Sequence, residues 1–112
     1  MIKHKIVLVP FPFDDFTALK VRPALCLTNT IGKYEHLIIA FISSKIPDET
    51  LESDLLLKRN SDNFIGTGLQ VDSVIRIHKI VTIPKSLIKR ELGVINQLLQ
   101  REVITRVNKV FF

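Results

Sequence analysis

Short apolar segments rich in β-branched and aromatic residues recur along the chain, and polar stretches separate them. Segments of this length and composition are typical of β-strands. The third segment is apolar throughout, which indicates burial on both faces. The fifth alternates between apolar and polar residues and is long enough to contain a bulge at Lys79. The pattern therefore predicts five strands, within residues 4–13, 24–29, 36–44, 54–59 and 73–83.

The stretches between these strands contain turn-forming residues. Gly32 marks a turn before the third strand, and the polar residues 14–20, 45–53 and 60–68 are predicted to be loops. Residues 84–92 are compatible with one helical turn. In the last segment, Leu99, Val103 and Val107 follow at spacings of four, which predicts an amphipathic helix that starts near an Asn96 cap.

Five or six short strands and one helix in 112 residues define the expected fold class. The strands are joined by loops, and no helix of crossover length separates them, which argues against a parallel sheet. A small, mainly β barrel with a C-terminal α-helix is favoured over a sandwich. We expect residues 1–112 to form a single domain, because no linker or repeat interrupts them.

Composition adds a positive charge and limits the cellular setting. Sixteen Lys plus Arg against eleven Asp plus Glu give a net charge of +5, which fits a protein that binds nucleic acid or one that is basic for solubility alone. The longest apolar runs are far shorter than the ~20 residues of a membrane helix, so no membrane association is predicted. The single cysteine, Cys26, excludes an internal disulfide and favours a reducing cytoplasm.

Most sequence signatures of catalysis are missing. The three histidines have no metal-ligand spacing, and the four glycines form no phosphate-binding loop, so neither a metal nor a cofactor is predicted. Cys26 lies between two leucines and is expected to be a buried, inert thiol. Asp14 and Asp15 are adjacent and point apart on an extended chain, so they do not form a close acid/base pair.

Polar residues at strand ends remain as candidates. Arg22 precedes the predicted second strand, and Ser43 and Ser44 end the third. If the two strands are neighbours, a guanidinium and a hydroxyl converge, which suits a phosphodiester substrate. Alternatively, Arg22 is an edge residue paired with a loop carboxylate such as Asp14, and the serines cap a strand. On the residues alone, this structural alternative is the more frequent case.

Four segments, in this order and spacing, resemble the MazF/PemK family of toxins from bacterial type II toxin–antitoxin systems. The resemblance covers nearly the whole chain. The segments are IVLVPFPFDD (residues 6–15), RPALCLTN (22–29), IIAFISSKI (38–46) and GLQVDSVIRIHKIVTIPKSLIKRELG (68–93).

This resemblance implies an SH3-like barrel of the MazF/PemK/CcdB-like type, usually a homodimer. It implies metal-independent cleavage of single-stranded RNA, through attack of the ribose 2′-hydroxyl to give a 2′,3′-cyclic phosphate, and neutralisation by an acidic antitoxin. By resemblance, Arg22 matches the arginine of the family's Arg-Pro motif and Ser43 a position that usually holds Thr, so both are expected to be catalytic. The expected RNA-binding residues are Lys20, Ser44, Lys45 and Asp14.

The chain departs from the family pattern at a few positions. His4-Lys5 stands where many members have Gly-Asp, and Lys45 stands where an amide side chain is common. Two other functions stay open. One is a non-catalytic toxin of the same fold that binds gyrase. Such a toxin would bind through the end of its C-terminal helix, here Val110, Phe111 and Phe112. The other is an inactive RNA-binding member.

Overall fold

The computed structural model describes residues 1–10 and 20–112. Within these residues, six β-strands precede one α-helix. The strands are β1 (Lys5–Pro10), β2 (Val21–Cys26), β3 (His36–Ser43), β4 (Asp54–Leu57), β5 (Ser73–Pro84) and β6 (Arg90–Val94), and the helix is α1 (Gln97–Phe111). Single 3₁₀ turns occupy Asp62–Phe64 and Lys85–Leu87.

The strands form one antiparallel sheet in the order β4-β5-β3-β2-β1-β6. The sheet is curled, and the segment between β4 and β5 reaches back to its other edge, where the Val94 N–H donates to the Gly66 carbonyl oxygen at 2.9 Å. The prediction of a mainly β, barrel-like fold with a C-terminal helix is confirmed as a curled half-barrel.

Two predicted boundaries were wrong. The second strand runs from Val21 to Cys26 and not over 24–29, so Arg22 and Pro23 lie inside it. Pro23 is tolerated there because the pairing of β2 with β3 begins only at Ala24, so the missing N–H costs no hydrogen bond on that side. Residues 84–92 contain the predicted helical turn, but Arg90–Val94 form a sixth strand by pairing with β1.

The predicted bulge in the fifth strand is confirmed. Ala40 of β3 pairs with Ile80, whereas the next residue, Phe41, pairs with Arg76. Residues 77–79, which include Lys79, therefore lie between the two paired positions on β5. A bulge of this kind bends the strand and increases its twist, which helps the sheet to curl.

The continuous apolar run of β3 is buried on both faces, as predicted. Leu37, Ile39 and Phe41 pack in one apolar cluster, and Ala40 and Ile42 pack in the other. The second cluster is covered by α1, whose inner residues Leu99 and Val103 are 1% and 5% exposed.

The helix begins where the sequence predicted. The Asn96 side chain accepts a hydrogen bond from the Leu99 N–H at 2.9 Å and so caps the first turn. The outer face of α1 carries Leu98 and Ile104, which are 60% and 54% exposed. Among the described residues, no helix has the length and apolar character needed to cross a membrane.

Candidate nucleic-acid groove

An open groove of about 600 Å³ lies at one end of the sheet. It is lined by residues of β2, β3, β5 and β6 and by the segment 68–71. Among the described residues that line it, five are basic and none is acidic, and the basic residues are Arg22, Lys45, Arg76, Lys79 and Arg90. A concave surface with this charge attracts anionic ligands, phosphodiesters included.

Arg22 and Ser43 come together in this groove. β2 and β3 are neighbours, and their register sets Ala24 opposite Phe41. Two residues further along each strand, the same register brings Arg22 opposite Ser43, and both line the groove. Arg22 is half-buried on the strand between β1 and β3, where its partner on β1 is Val9. Arg22 and Ser43, the two residues expected to converge, therefore line the same groove.

The Ser43 hydroxyl is held by the turn that ends β3. Its Oγ accepts a hydrogen bond from the Lys45 N–H at 3.0 Å, and it lies 3.4 Å from the Lys45 carbonyl oxygen. The short bond fixes the oxygen, while the long one holds the hydroxyl proton weakly. The proton is thus available to a ligand oxygen in the groove.

The other predicted residues differ in their relation to the groove. Ser44 and Lys45 both line it and are exposed. β3 ends at Ser43, one residue before the predicted end at Ser44, so Ser44 lies just beyond the strand. Lys20 is exposed but does not line the groove. Asp14 lies outside the described residues.

Three cations of the groove were not predicted: Arg76 and Lys79 on β5 and Arg90 on β6. Arg76 pairs with a carboxylate, because its Nε lies 2.7 Å from Oδ1 of the buried Asp54. The alternation of β5 gave a partial signal, since it identified a half-exposed strand carrying cations. The pairing that brings β5 and β6 to the groove was not evident from the sequence.

Two titratable groups outside the groove have shifted pKa values. Burial, with a smaller contribution from the Glu91 carboxylate and an opposing one from Lys5, raises the pKa of the Cys26 thiol to about 11. The thiol is thus buried and protonated at neutral pH, as predicted for an inert cysteine. Burial and the neighbouring Lys3 charge lower the pKa of His4. His4 also has a left-handed backbone, with φ at 78°.

No cluster of three or more His, Cys, Asp or Glu side chains able to hold a metal ion occurs within residues 1–10 and 20–112.

A family model described as PemK-like, MazF-like toxin of type II toxin-antitoxin system matches residues 3–111. No curated protein matches the sequence.

Solved structures share the fold at low sequence identity. The Mycobacterium tuberculosis toxin MazF-mt6 superposes with a TM-score of 0.73 at 18% identity, covering 96% of this chain and 95% of that one. An endoribonuclease in complex with its cognate antitoxin from Mycobacterial species gives a TM-score of 0.70 at 9% identity, over 99% and 94% of the two chains. A further Mtb toxin gives 0.70 at 16% identity, over 96% and 100%.

Proposed function

The chain belongs to the PemK-like, MazF-like toxins of type II toxin–antitoxin systems, and we propose that it is an endoribonuclease that cuts single-stranded RNA without a metal ion. The observation that carries this proposal is the meeting of Arg22 and Ser43 in one open, basic groove. We assign the catalytic roles to these two residues. Lys20, Ser44, Lys45 and Asp14 are proposed to bind RNA.

RNA supplies its own nucleophile for this reaction. The ribose 2′-oxygen forms a bond to the adjacent phosphorus and loses its proton, the bond from phosphorus to the 5′-oxygen breaks, and that oxygen gains a proton. The products are a 2′,3′-cyclic phosphate and a 5′-hydroxyl. The enzyme's task is then to position the phosphate and to stabilise the negative charge that grows on its oxygens.

Arg22 suits the charge-stabilising role because its guanidinium is always protonated and donates two parallel hydrogen bonds to a phosphate. Ser43 suits a donor role. Its oxygen already accepts from the Lys45 N–H, so its weakly held proton is what it offers to a phosphate oxygen. The hydroxyl therefore orients the phosphate and does not act as a nucleophile.

The remaining charge of the groove supports a polyanionic substrate. Lys45, Arg76, Lys79 and Arg90 line the same groove as Arg22 and Ser43, and none of the described lining residues is acidic. Of these cations, Arg76 is paired with the buried Asp54 behind the lining. Contacts of this kind draw affinity from the release of counterions, so binding should weaken as salt rises.

The proposed partners follow from the family and from the exposed surface. A solved relative is an endoribonuclease in complex with its cognate antitoxin, and we propose that an acidic antitoxin segment binds across this groove in competition with RNA. We also propose a homodimer in the cytoplasm. Apolar side chains on the outer face and end of α1 support self-association, since Leu98, Ile104 and Phe111 are 60%, 54% and 57% exposed.

The test is incubation of the purified protein with a long single-stranded RNA in excess EDTA. Cleavage that leaves a 5′-hydroxyl and a 2′,3′-cyclic phosphate is expected. A strict requirement for Mg²⁺, or 5′-phosphate ends, would contradict the mechanism. A matched preparation of Arg22→Ala controls for contaminating ribonuclease, because any contaminant would cut equally in both samples.

The gyrase-binding alternative has one observation in its favour, because Phe111 and Phe112 are 57% and 102% exposed at the end of α1. A protein that leaves RNA intact but inhibits gyrase, and loses that inhibition when both Phe residues are replaced by Ser, would favour this alternative over the ribonuclease.

A further inference from the structure

We propose that Arg76 is a second phosphate-binding group of the groove, which binds a phosphate next to the scissile one and is positioned by the buried Asp54. This inference rests on the proposed ribonuclease function and extends it to a residue that the sequence did not indicate. Arg76 is on β5, on the other side of β3 from Arg22.

The carboxylate of Asp54 is fully buried and holds Arg76 through one nitrogen. Asp54 Oδ1 lies 2.7 Å from Arg76 Nε, and Asp54 Oδ2 accepts a hydrogen bond from the Leu51 N–H at 2.8 Å. His78 Nδ1 is 3.9 Å from the same Oδ1 and contacts Ser53 Oγ at 2.9 Å. Arg76 is therefore the close cationic partner of this buried charge, through an ion pair whose geometry is not that of a hydrogen bond.

The terminal nitrogens of Arg76 are left available to a ligand. Its Nε is fully buried, so the 19% exposure of the side chain comes from other atoms. Over the described ranges 1–10 and 20–112, neither terminal nitrogen makes a hydrogen bond or an ion pair with the protein. Arginine–carboxylate pairs are frequently bidentate, with two guanidinium nitrogens on the two carboxylate oxygens. Here the second carboxylate oxygen binds the backbone at Leu51.

The strand register brings Arg76 near the catalytic pair. Ser43 pairs with Val74 of β5, and Arg76 lies two residues further along that strand. It is therefore the diagonal neighbour of Ser43 on the same face, at about 7–8 Å between side-chain bases. Arg22 and Arg76 are on the two strands that flank β3, which are about 10 Å apart. This separation suits two neighbouring phosphates of an extended strand.

The test compares three variants with the wild type. Arg76→Met combined with Asp54→Asn removes both charges, so no charge is left buried and unpaired. Asp54→Asn alone keeps the charge of Arg76 and removes the carboxylate charge that pairs with it. Arg101→Met is the matched control, because Arg101 is an exposed arginine on α1 outside the groove. The melting temperature of each variant is recorded, and all assays are run where every variant is folded.

Binding is measured by fluorescence anisotropy over a series of KCl concentrations. The probe is a labelled single-stranded DNA oligonucleotide of mixed sequence, which lacks the 2′-hydroxyl and stays intact. In the double variant, we expect the slope of log affinity against log salt to be shallower by about 0.7, which corresponds to one lost phosphate contact, and affinity to fall about tenfold or more. Arg101→Met should match the wild type in both measures.

Asp54→Asn separates positioning from structural support. The salt slope should stay at the wild-type value because the charge count of the groove is unchanged, while the rate of RNA cleavage at saturating substrate falls several-fold. If Asp54 only stabilises the fold, Asp54→Asn should lower the melting temperature and leave both the cleavage rate and the salt slope at their wild-type values. If the double variant keeps the wild-type slope and affinity, the inference is overturned.

The two proposals fail in different ways. A wild-type protein that binds the oligonucleotide with a steep salt slope but cuts no RNA refutes the ribonuclease, whereas the slope of the double variant still decides whether Arg76 binds phosphate. A wild-type protein that binds no single-stranded nucleic acid overturns both.

Discussion

Replacing Gly93 by Ala tests the contact that joins β6 to the segment between β4 and β5. A Cβ at Gly93 would lie 2.1 Å from the Gly66 carbonyl oxygen and 2.5 Å from the Thr67 carbonyl carbon. Both are backbone atoms, so no side chain can rotate away. Real Cβ contacts essentially never fall below 3.0 Å, and the two segments must therefore separate by roughly 1 Å.

The cost has two parts. Overpacking of this kind costs about 1–3 kcal/mol. The separation also strains the hydrogen bond that the Val94 N–H donates to the Gly66 carbonyl oxygen. A hydrogen bond of this kind contributes about 0.5–1.5 kcal/mol to stability. We therefore expect Gly93→Ala to lower the free energy of unfolding by about 2–4 kcal/mol. The affinity for RNA should fall as well, because Gly68 and Leu92 beside this contact line the groove.

Two other glycines separate the clash from backbone strain. Gly32 and Gly68 have nearly the same left-handed backbone, with φ of 77° and 76°, but a Cβ meets nothing within 4 Å at Gly32 and lies 2.1 Å from the Leu92 carbonyl oxygen at Gly68. Gly32→Ala should cost only the strain, about 1–2 kcal/mol. Gly68→Ala should cost the strain and the clash together.

The assay is urea-induced unfolding followed by circular dichroism, with the free energy extrapolated to water for all three variants. The expected order of destabilisation is Gly68 above Gly93 above Gly32. A Gly93→Ala protein no less stable than Gly32→Ala would refute the close approach of β6 to the segment containing Gly66.

Four further predictions concern the groove and the two groups with shifted pKa values, Cys26 and His4. Arg22→Ala should slow RNA cleavage by ~30- to 1,000-fold, equivalent to about 2–4 kcal/mol of transition-state stabilisation. Ser43→Ala should also slow cleavage in a single-turnover assay, and Ser44→Ala should slow it less. The reverse order would assign the phosphate-orienting hydroxyl to Ser44. The protonated thiol of Cys26 contributes stability that is complete below its ordinary pKa of 9.0 and is lost as pH rises through about 11. Between those pH values, the free energy of unfolding should therefore decrease more steeply with pH for the wild type than for Cys26→Ala. Equal slopes would argue against burial of the thiol. Because the pKa of His4 is lowered, its contribution is present above about pH 6.5 and is lost as pH falls. His4→Gly should remove this acid dependence. It should also relieve the strain of the left-handed backbone at φ 78°, which raises the free energy of unfolding measured in urea at neutral pH by about 1 kcal/mol. A variant less stable than the wild type would argue against such strain.

The elements that the sequence predicted well are those whose own residues determine the structure. The burial of β3 on both faces followed from its continuous apolar run, and α1 followed from its apolar spacing and the Asn96 cap. β6 was missed because residues 90–94 contain Glu and Gly, which are poor strand formers. Its hydrogen bonds come from β1, at the other end of the chain, and local propensity carries no record of that partner.

The site could be predicted only in part, for a similar reason. Arg22 and Ser43 were identified through adjacent strands and through the family resemblance. Arg76 looked like an ordinary cation on a half-exposed strand, because its proximity to Asp54 depends on the pairing of β4 with β5. An ion pair between two strands leaves no periodic pattern in the sequence, so it becomes evident only from the register in which the strands pair.

The pairing of β1 with β6 has a consequence for when the groove can form during synthesis. The strand at the beginning of the chain is completed by residues 90–94, near its end, and Arg90 and Leu92 of that strand form part of the groove. A ribosome-bound chain that lacks β6 has no complete groove, whatever else has folded. Contacts this distant in sequence also form slowly compared with local ones. All the strands that line the groove are therefore in place only after β6 has been made and has joined β1.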